Sequence, residues 1–260
     1  SDDKPIVSND KKICESIDLL RKSLLHVDQD PVQSLNFLQK SLNIISTSSF
    51  KEDLRKTFLK YPEANWRDVL SIGQMESKKW LLDEWEKLGI DKQQICFVVG
   101  GWYGLLPAMS YLREFPISEK FRCFDINPQC VPISESINKS HVLNDWSFKA
   151  TTWNMFDIDY SSFVYQTQRS DGSKVDMTEA PDIVINTSCE HILNFRDWFD
   201  RIPQGKLVIL QTNDFFTEKS HVNCLNSLEE FKKQAPLSKI FFEGTLKLEK
   251  YNRFMLIGCR

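Results

Sequence analysis

The segment QICFVVGGWYGLLP, residues 94–107, runs from β-branched and aromatic residues into two glycines, two aromatics and a third glycine. A strand that stops at Gly100-Gly101, with Gly104 close behind, lets a backbone come unusually near a ligand. Asp125 follows 25 residues after Gly100 and closes another apolar run, KFRCFD. A carboxylate there accepts two donors at once, which suits the paired hydroxyls of a ribose. Two ligands fit such a pair of features, a dinucleotide or S-adenosylmethionine. The dinucleotide fingerprint G-x-G-x-x-G needs a glycine where this chain has Val99, so only Gly101 and Gly104 match it. No second phosphate-binding motif is present, and a sulfonium ligand carries no phosphate to be cradled.

The elements around these residues must position them. QICFVVG reads as a strand covered on both faces, LLPAMSYLREFP as its helix, and KFRCFDIN as the next strand. PISESINKSHVL supplies a helix, FKATTWN a third strand, APDIVINTSCEHI a fourth and GKLVILQTND a fifth, with a helix over HILNFRDWFDRIP between the last two. The tail KIFFEGTLKLEKYNRFMLIGC predicts two long strands joined by a tight turn around Lys250–Asn252. Residues 163–180, polar and centred on Asp171-Gly172, read as a surface excursion. Alternating strands and helices predict an α/β fold: a doubly wound, Rossmann-like sheet with ligands outside the carboxyl ends of its strands. The terminal hairpin adds an antiparallel strand. Residues 1–68 form an N-terminal helical segment, a possible active-site cap, ahead of an α/β domain over 69–260. Its first helix carries Ile13, Ile17, Leu20, Leu24 and Val27 on one stripe, its second opens at Asp30-Pro31, and the polar STSS closes that second helix. A later helix ends at Gly89, and its tryptophans Trp80 and Trp85 read as core.

Composition removes several classes. With 41% hydrophobic and 27% charged residues the chain is an ordinary globular one, and a net charge of −3 gives no broad electrostatic footprint for nucleic acid. No apolar run approaches the roughly 20 residues that span a bilayer, and SDDKPIVSNDKK lacks a signal-peptide core, so the expectation is a soluble cytoplasmic protein. The seven cysteines are odd in number, without CxxC spacing, and read as buried thiols of a reducing compartment. A zinc site drawn from Cys189, His191, His221 and Cys224 has no recognisable spacing, so no metal is expected.

Residues from about 70 to 260 resemble the class I S-adenosylmethionine-dependent methyltransferases. The matching pieces are VVGGWYG, CFDINP, TTWNMFDID, DIVINTSCEHI and the closing hairpin. The resemblance departs at Val98, where the family motif often begins with an acid, and at Trp102, which replaces its middle glycine. It implies that Gly100, Gly101, Trp102 and Gly104 approach the methionine moiety of S-adenosylmethionine. Asp125 and Ile126 would meet the ribose and its surroundings, and Asn154, Met155, Phe156 and Asp157 the adenine. Gln74 and Lys78 would lie near the ligand carboxylate. Asn186, also expected to touch the cofactor, Glu190 and His191 become candidates to hold, orient and deprotonate an acceptor, His191 because its unperturbed pKa is near neutrality; Tyr103 and Trp102 would wall the methyl site. Asn213, Asp214, His221 and Asn223 mark the expected substrate cluster. The strand-four end reads Asn-Thr-Ser-Cys and lacks the Asn/Asp-Pro-Pro-aromatic run of base-amine methyltransferases, which favours methyl transfer to a nitrogen or oxygen of a small polar metabolite. Transfer of the aminocarboxypropyl arm, cyclisation, or a non-catalytic cofactor-binding subunit stay open at this point.

Overall fold

The computed structural model describes residues 9–44 and 48–260. The N-terminal octapeptide, the first half of the STSS break and the side chain of Ile13 lie outside the described residues. The strands are β1 (Gln93–Val99), β2 (Ser118–Asp125), β3 (Phe148–Thr152), β4 (Phe163–Gln168), β5 (Lys174–Glu179), β6 (Ile183–Asn186), β7 (Leu207–Asn213), β8 (Lys239–Lys247) and β9 (Asn252–Cys259). A seven-stranded sheet runs in the order β3-β2-β1-β6-β7-β9-β8, parallel except for β9, which is antiparallel to both its neighbours. The chain winds outward from β1 to β3, crosses to β6, and winds the other way. The switch point therefore lies between β1 and β6, where Val98 pairs with Ile185.

The apolar runs are continuous because the central strands are covered on both faces, and successive side chains serve opposite cores. Cys96, Val98, Ile183, Ile185, Ile209, Met255 and Ile257 enter one cluster. Phe97, Val99, Val184, Val208, Leu210, Phe254 and Leu256 enter the other. The first face is covered by α1 (Asn9–His26), α3 (Ser48–Lys60), α4 (Trp66–Val69), α5 (Ile72–Leu88), α6 (Leu105–Tyr111), α7 (Cys130–Ile137) and α8 (Lys139–Leu143). The second is covered by α9 (Phe195–Phe199), α10 (Leu228–Gln234) and the β4–β5 pair. The remaining helix, α2 (Pro31–Ile44), pairs with α1 through buried serines, Ser23 with Ser34 at 3.0 Å and Ser16 with Ser41 at 2.7 Å. Asp30 caps it by accepting from the Gln33 N–H at 3.1 Å. Ser71 caps α5, which ends on left-handed Gly89.

Four expectations change. Residues 163–180 are a β-hairpin folded against the sheet: Phe163, Tyr165 and Thr167 point inward, and Val164, Gln166 and Gln168 outward. Its inner end is tied by Arg122, which donates to Glu179 at 2.8 Å, while the Tyr165 hydroxyl donates to the same carboxylate at 2.6 Å. The helix expected over 191–203 contracts to α9 behind a 3-10 turn at Cys189–His191. The single helix expected before β3 breaks at Asn138 into α7 and α8, where the Asn138 amide donates to the carbonyls of Gly104 and Ser134. Two short helices, α4 and α10, add to the predicted elements. Among the described residues no helix is long and apolar enough to cross a membrane.

Candidate functional site

β1 is followed by Gly100, at φ 61°, and the turn to α6 passes left-handed Trp102 and Gly104 at φ 49° and 71°. A side chain at Gly101 would press on Cys123, whose Cβ lies 2.9 Å from the position of an added Cβ. At Gly100 the nearest atoms are those of Ser188 at 3.8 Å, so that glycine faces space rather than packing. Asp125 is tied to this turn: its Oδ2 accepts from the Trp102 N–H at 3.1 Å and its Oδ1 from the Asn127 N–H at 2.9 Å. Both oxygens keep a lone pair for another donor. Ile126 beside it is 71% exposed.

The register Asp125–Thr152 carries this edge to β3 and the 3-10 turn of Met155–Asp157. There Asn154 uses its side-chain oxygen to cap the turn, accepting from the Phe156 N–H at 2.9 Å. Met155 and Phe156 are half-buried and Asp157 is exposed. Thus Gly100, Asp125 and the turn at Asn154 follow one carboxyl edge of the sheet, with the Asn154 side-chain oxygen engaged locally.

Beyond the switch point a cavity of about 610 Å³ opens at the carboxyl ends of β6 and β7. Of the predicted residues, Gln74, Trp102, Glu190, His191, Asn213 and His221 line it. Arg21 of α1, Arg67 of α4 and Tyr251 of the β8–β9 turn complete its walls. Gly73 at the start of α5 is what admits Tyr251, since an added Cβ would run into the tyrosine hydroxyl. Tyr251 in turn stacks on Phe215 with ring centroids 4.8 Å apart.

Buried polar groups concentrate at the floor. Asn186 is fully buried; its Oδ1 accepts from the Ser188 N–H at 2.9 Å and its Nδ2 has no partner. Glu190, also buried, has its Oε1 3.7 Å from both Arg253 Nη1 and His191 Nε2, and its Oε2 has no partner. Arg253 is held by donating from Nε to Gln211 at 2.9 Å and from Nη2 to the Thr187 carbonyl. Next to this pair, Lys78 donates to Gln74 at 2.9 Å. Desolvation, reinforced by Arg253 and opposed by Glu190, lowers its pKa to about 7.

The loop after β7 is fastened to the turn after β6, because the Val222 and Asn223 N–H groups donate to the Glu190 carbonyl, each at 2.9 Å. Asp214 receives both the backbone and side-chain N–H groups of Asn252, which anchors the terminal hairpin.

Two predicted residues take packing roles. Tyr103 is buried against Trp66, and its hydroxyl accepts from the Asn65 N–H at 3.2 Å, away from the cavity. Asn223 pairs its amide reciprocally with Gln234 and donates to the Cys189 carbonyl, so both its N–H groups are engaged locally. The four-residue zinc set is not assembled either: buried Cys189 bonds to the Asn186 carbonyl and Cys224 to the Asn213 side chain. Arg253 escaped the sequence reading. Its signal was an arginine inside the apolar run NRFMLIG, and antiparallel register sets it opposite Asn213.

No family model matches this chain, and no curated protein sequence matches it. Solved structures do resemble it. The N-methyltransferase NodS from Bradyrhizobium japonicum WM9, in complex with S-adenosyl-L-homocysteine, is 10% identical with a TM-score of 0.51, covering 82% of this chain and 99% of that one. The magnesium protoporphyrin IX methyltransferase ChlM from Synechocystis PCC 6803, with the same compound bound, is 13% identical with a TM-score of 0.50, covering 82% and 95%. With its strand order and reversed penultimate strand, the chain has the fold of the class I S-adenosylmethionine-dependent methyltransferases.

Proposed function

We infer that this chain is an S-adenosylmethionine-dependent methyltransferase acting on a nitrogen or oxygen of a small polar molecule held in the cavity. The observation that carries this reading is the juxtaposition at the switch point. Trp102 joins the two features: its N–H holds the Asp125 carboxylate at the Gly100 turn, and the residue also lines the cavity. Open α/β sheets bind ligands there.

S-adenosylmethionine, when bound, supplies a methyl group on a sulfonium. The chain's own residues do the rest. Gly100 leaves its backbone approachable, and Asp125, already oriented by two N–H groups, offers its free lone pairs to ribose hydroxyls. Trp102 lines the cavity next to that turn. An in-line displacement needs the acceptor aligned more than it needs covalent help. Asn213 lines the space where it would be aligned, and Glu190 and His191 face the same space. A volume of about 610 Å³ is that of a small-molecule site. The N-terminal helices act as the cap of that site through Arg21 and Arg67.

Product analysis tests the reading. Purified chain incubated with S-adenosylmethionine and fractionated metabolites should release S-adenosylhomocysteine. Methylthioadenosine would indicate transfer of the aminocarboxypropyl arm, and no turnover by a protein that binds the cofactor would indicate a binding subunit.

A further inference from the structure

The turn after β6 and the loop after β7 bring the adjacent Glu190 and His191 together with His221, 30 residues further on. One carboxylate oxygen of Glu190 and one ring nitrogen each of His191 and His221 all lie within 4.8 Å of one another. The rings stand nearly perpendicular, at 82°, with centroids 4.8 Å apart. His191 Nδ1 lies 3.0 Å from the Ser220 carbonyl, and His221 Nδ1 lies 2.9 Å from that of Phe215. A carbonyl only accepts, so in both neutral rings Nδ1 carries the proton and Nε2 presents its lone pair. That is the outer arrangement that orients metal-ligating histidines.

Glu190 adds the second, independent sign. Its side chain is 3% exposed, yet Oε2 has no donor, and a buried carboxylate oxygen without a partner is costly. Arg253 does not answer that need: it stands 3.7 Å from Oε1, beyond hydrogen-bond reach, while its Nε and Nη2 are committed to Gln211 and Thr187.

We propose that Glu190, His191 and His221 bind a divalent transition-metal ion of the zinc class, with its remaining coordination positions open to the cavity. Two imidazoles favour such an ion over magnesium or calcium, and three protein ligands leave room for an oxygen or nitrogen donor of the cavity's own ligand. Metal–ligand bonds of about 2.0–2.2 Å place neighbouring ligand atoms about 3–4 Å apart. Glu190 and His191 already stand at 3.7 Å, and the His191 side chain, 43% exposed, has freedom to close the wider separations. The site rests on these residues alone and stands whether or not the chain uses S-adenosylmethionine.

The test uses the full chain, stripped with a chelator and titrated with Zn²⁺ against a chromophoric competitor and with Co²⁺ by visible absorption. About one equivalent should bind, and the Co²⁺ form should show ligand-field bands without thiolate charge transfer. Glu190→Gln, His191→Ala and His221→Ala should each weaken binding by about tenfold or more, whereas Cys224→Ser should leave it unchanged. Thermal melts of the metal-free variants establish that each is folded; His191→Ala, at a half-exposed position, is the least able to unfold the chain. Absence of stoichiometric binding, binding indifferent to all three substitutions, or a thiolate band abolished by Cys224→Ser would each overturn the proposal. A parallel titration of the metal-free chain with S-adenosylmethionine keeps failure of this site distinct from failure of the cofactor reading.

Discussion

Lys78 shows how one side chain reports on the site. Its folded-state pKa near 7 lies below the ordinary value of 10.5, mainly because burial penalises the ammonium. Between those two values the unfolded chain holds a proton that the folded chain lacks, so this residue makes stability rise with pH across that window. Below it both states are protonated, and the folded protein bears the full cost. Lys78→Met should therefore stabilise the protein at pH 6, and the gain should shrink as pH rises toward 10. Denaturant titrations at several pH values check this; an equal effect at all pH values would contradict it. Single residues were legible where a fixed offset from a strand end placed them, as with Gly100 and Asp125. The sequence did not show which side chains local partners would engage. The Asn154 carbonyl caps a turn, the Asn223 amide pairs with Gln234, and Tyr103 faces the core. Glu190, His191 and His221 could be nominated separately, but only the loop bonded to the Glu190 carbonyl brings them together.

At the scale of elements, the β4–β5 hairpin depends on a buried ion pair. Arg122 and Glu179 have side chains 2% and 9% exposed, and Tyr165 shares the carboxylate. Removing one member of such a pair strands the other, so Glu179→Ala should cost about 3–5 kcal/mol in urea unfolding, and Glu179→Gln less. A loss under about 1 kcal/mol would show the hairpin to be a surface appendage after all. The parallel strands were legible because two covered faces make them uniformly apolar. The hairpin was not, because only its inner face is covered: Phe163, Tyr165 and Thr167 alternate with exposed residues, and β5 is polar along most of its length. Helix α10 carried a readable start, with Ser227 accepting from the Glu230 N–H at 3.2 Å and Glu230 accepting from the Asn226 N–H at 2.8 Å.

For the molecule as a whole, the N-terminal helices and the sheet share one core: Leu20, Leu54, Trp66 and Val69 belong to the same cluster as Val98 and Ile185. Heat should therefore unfold helices and sheet in one cooperative transition, with equal calorimetric and van't Hoff enthalpies. Two separated transitions would mean the helical segment is an independent unit. Strand order was readable from the chain because alternation and right-handed crossovers leave few topologies. The cavity was not, since its walls come from α1, α4 and the turn before β9, segments more than 200 residues apart in places. The proposed seat of S-adenosylmethionine is the switch point beside Gly100, and calorimetric titration of the wild-type chain and Gly100→Ala decides whether it binds there. The added methyl meets only Ser188, at 3.8 Å, so the variant should fold at a strain cost of about 1–2 kcal/mol while obstructing the ligand. The wild type should show one site, and a folded Gly100→Ala an affinity lower by about tenfold or more, roughly 1.4 kcal/mol. No binding by the wild type, or equal binding by both proteins, would contradict it.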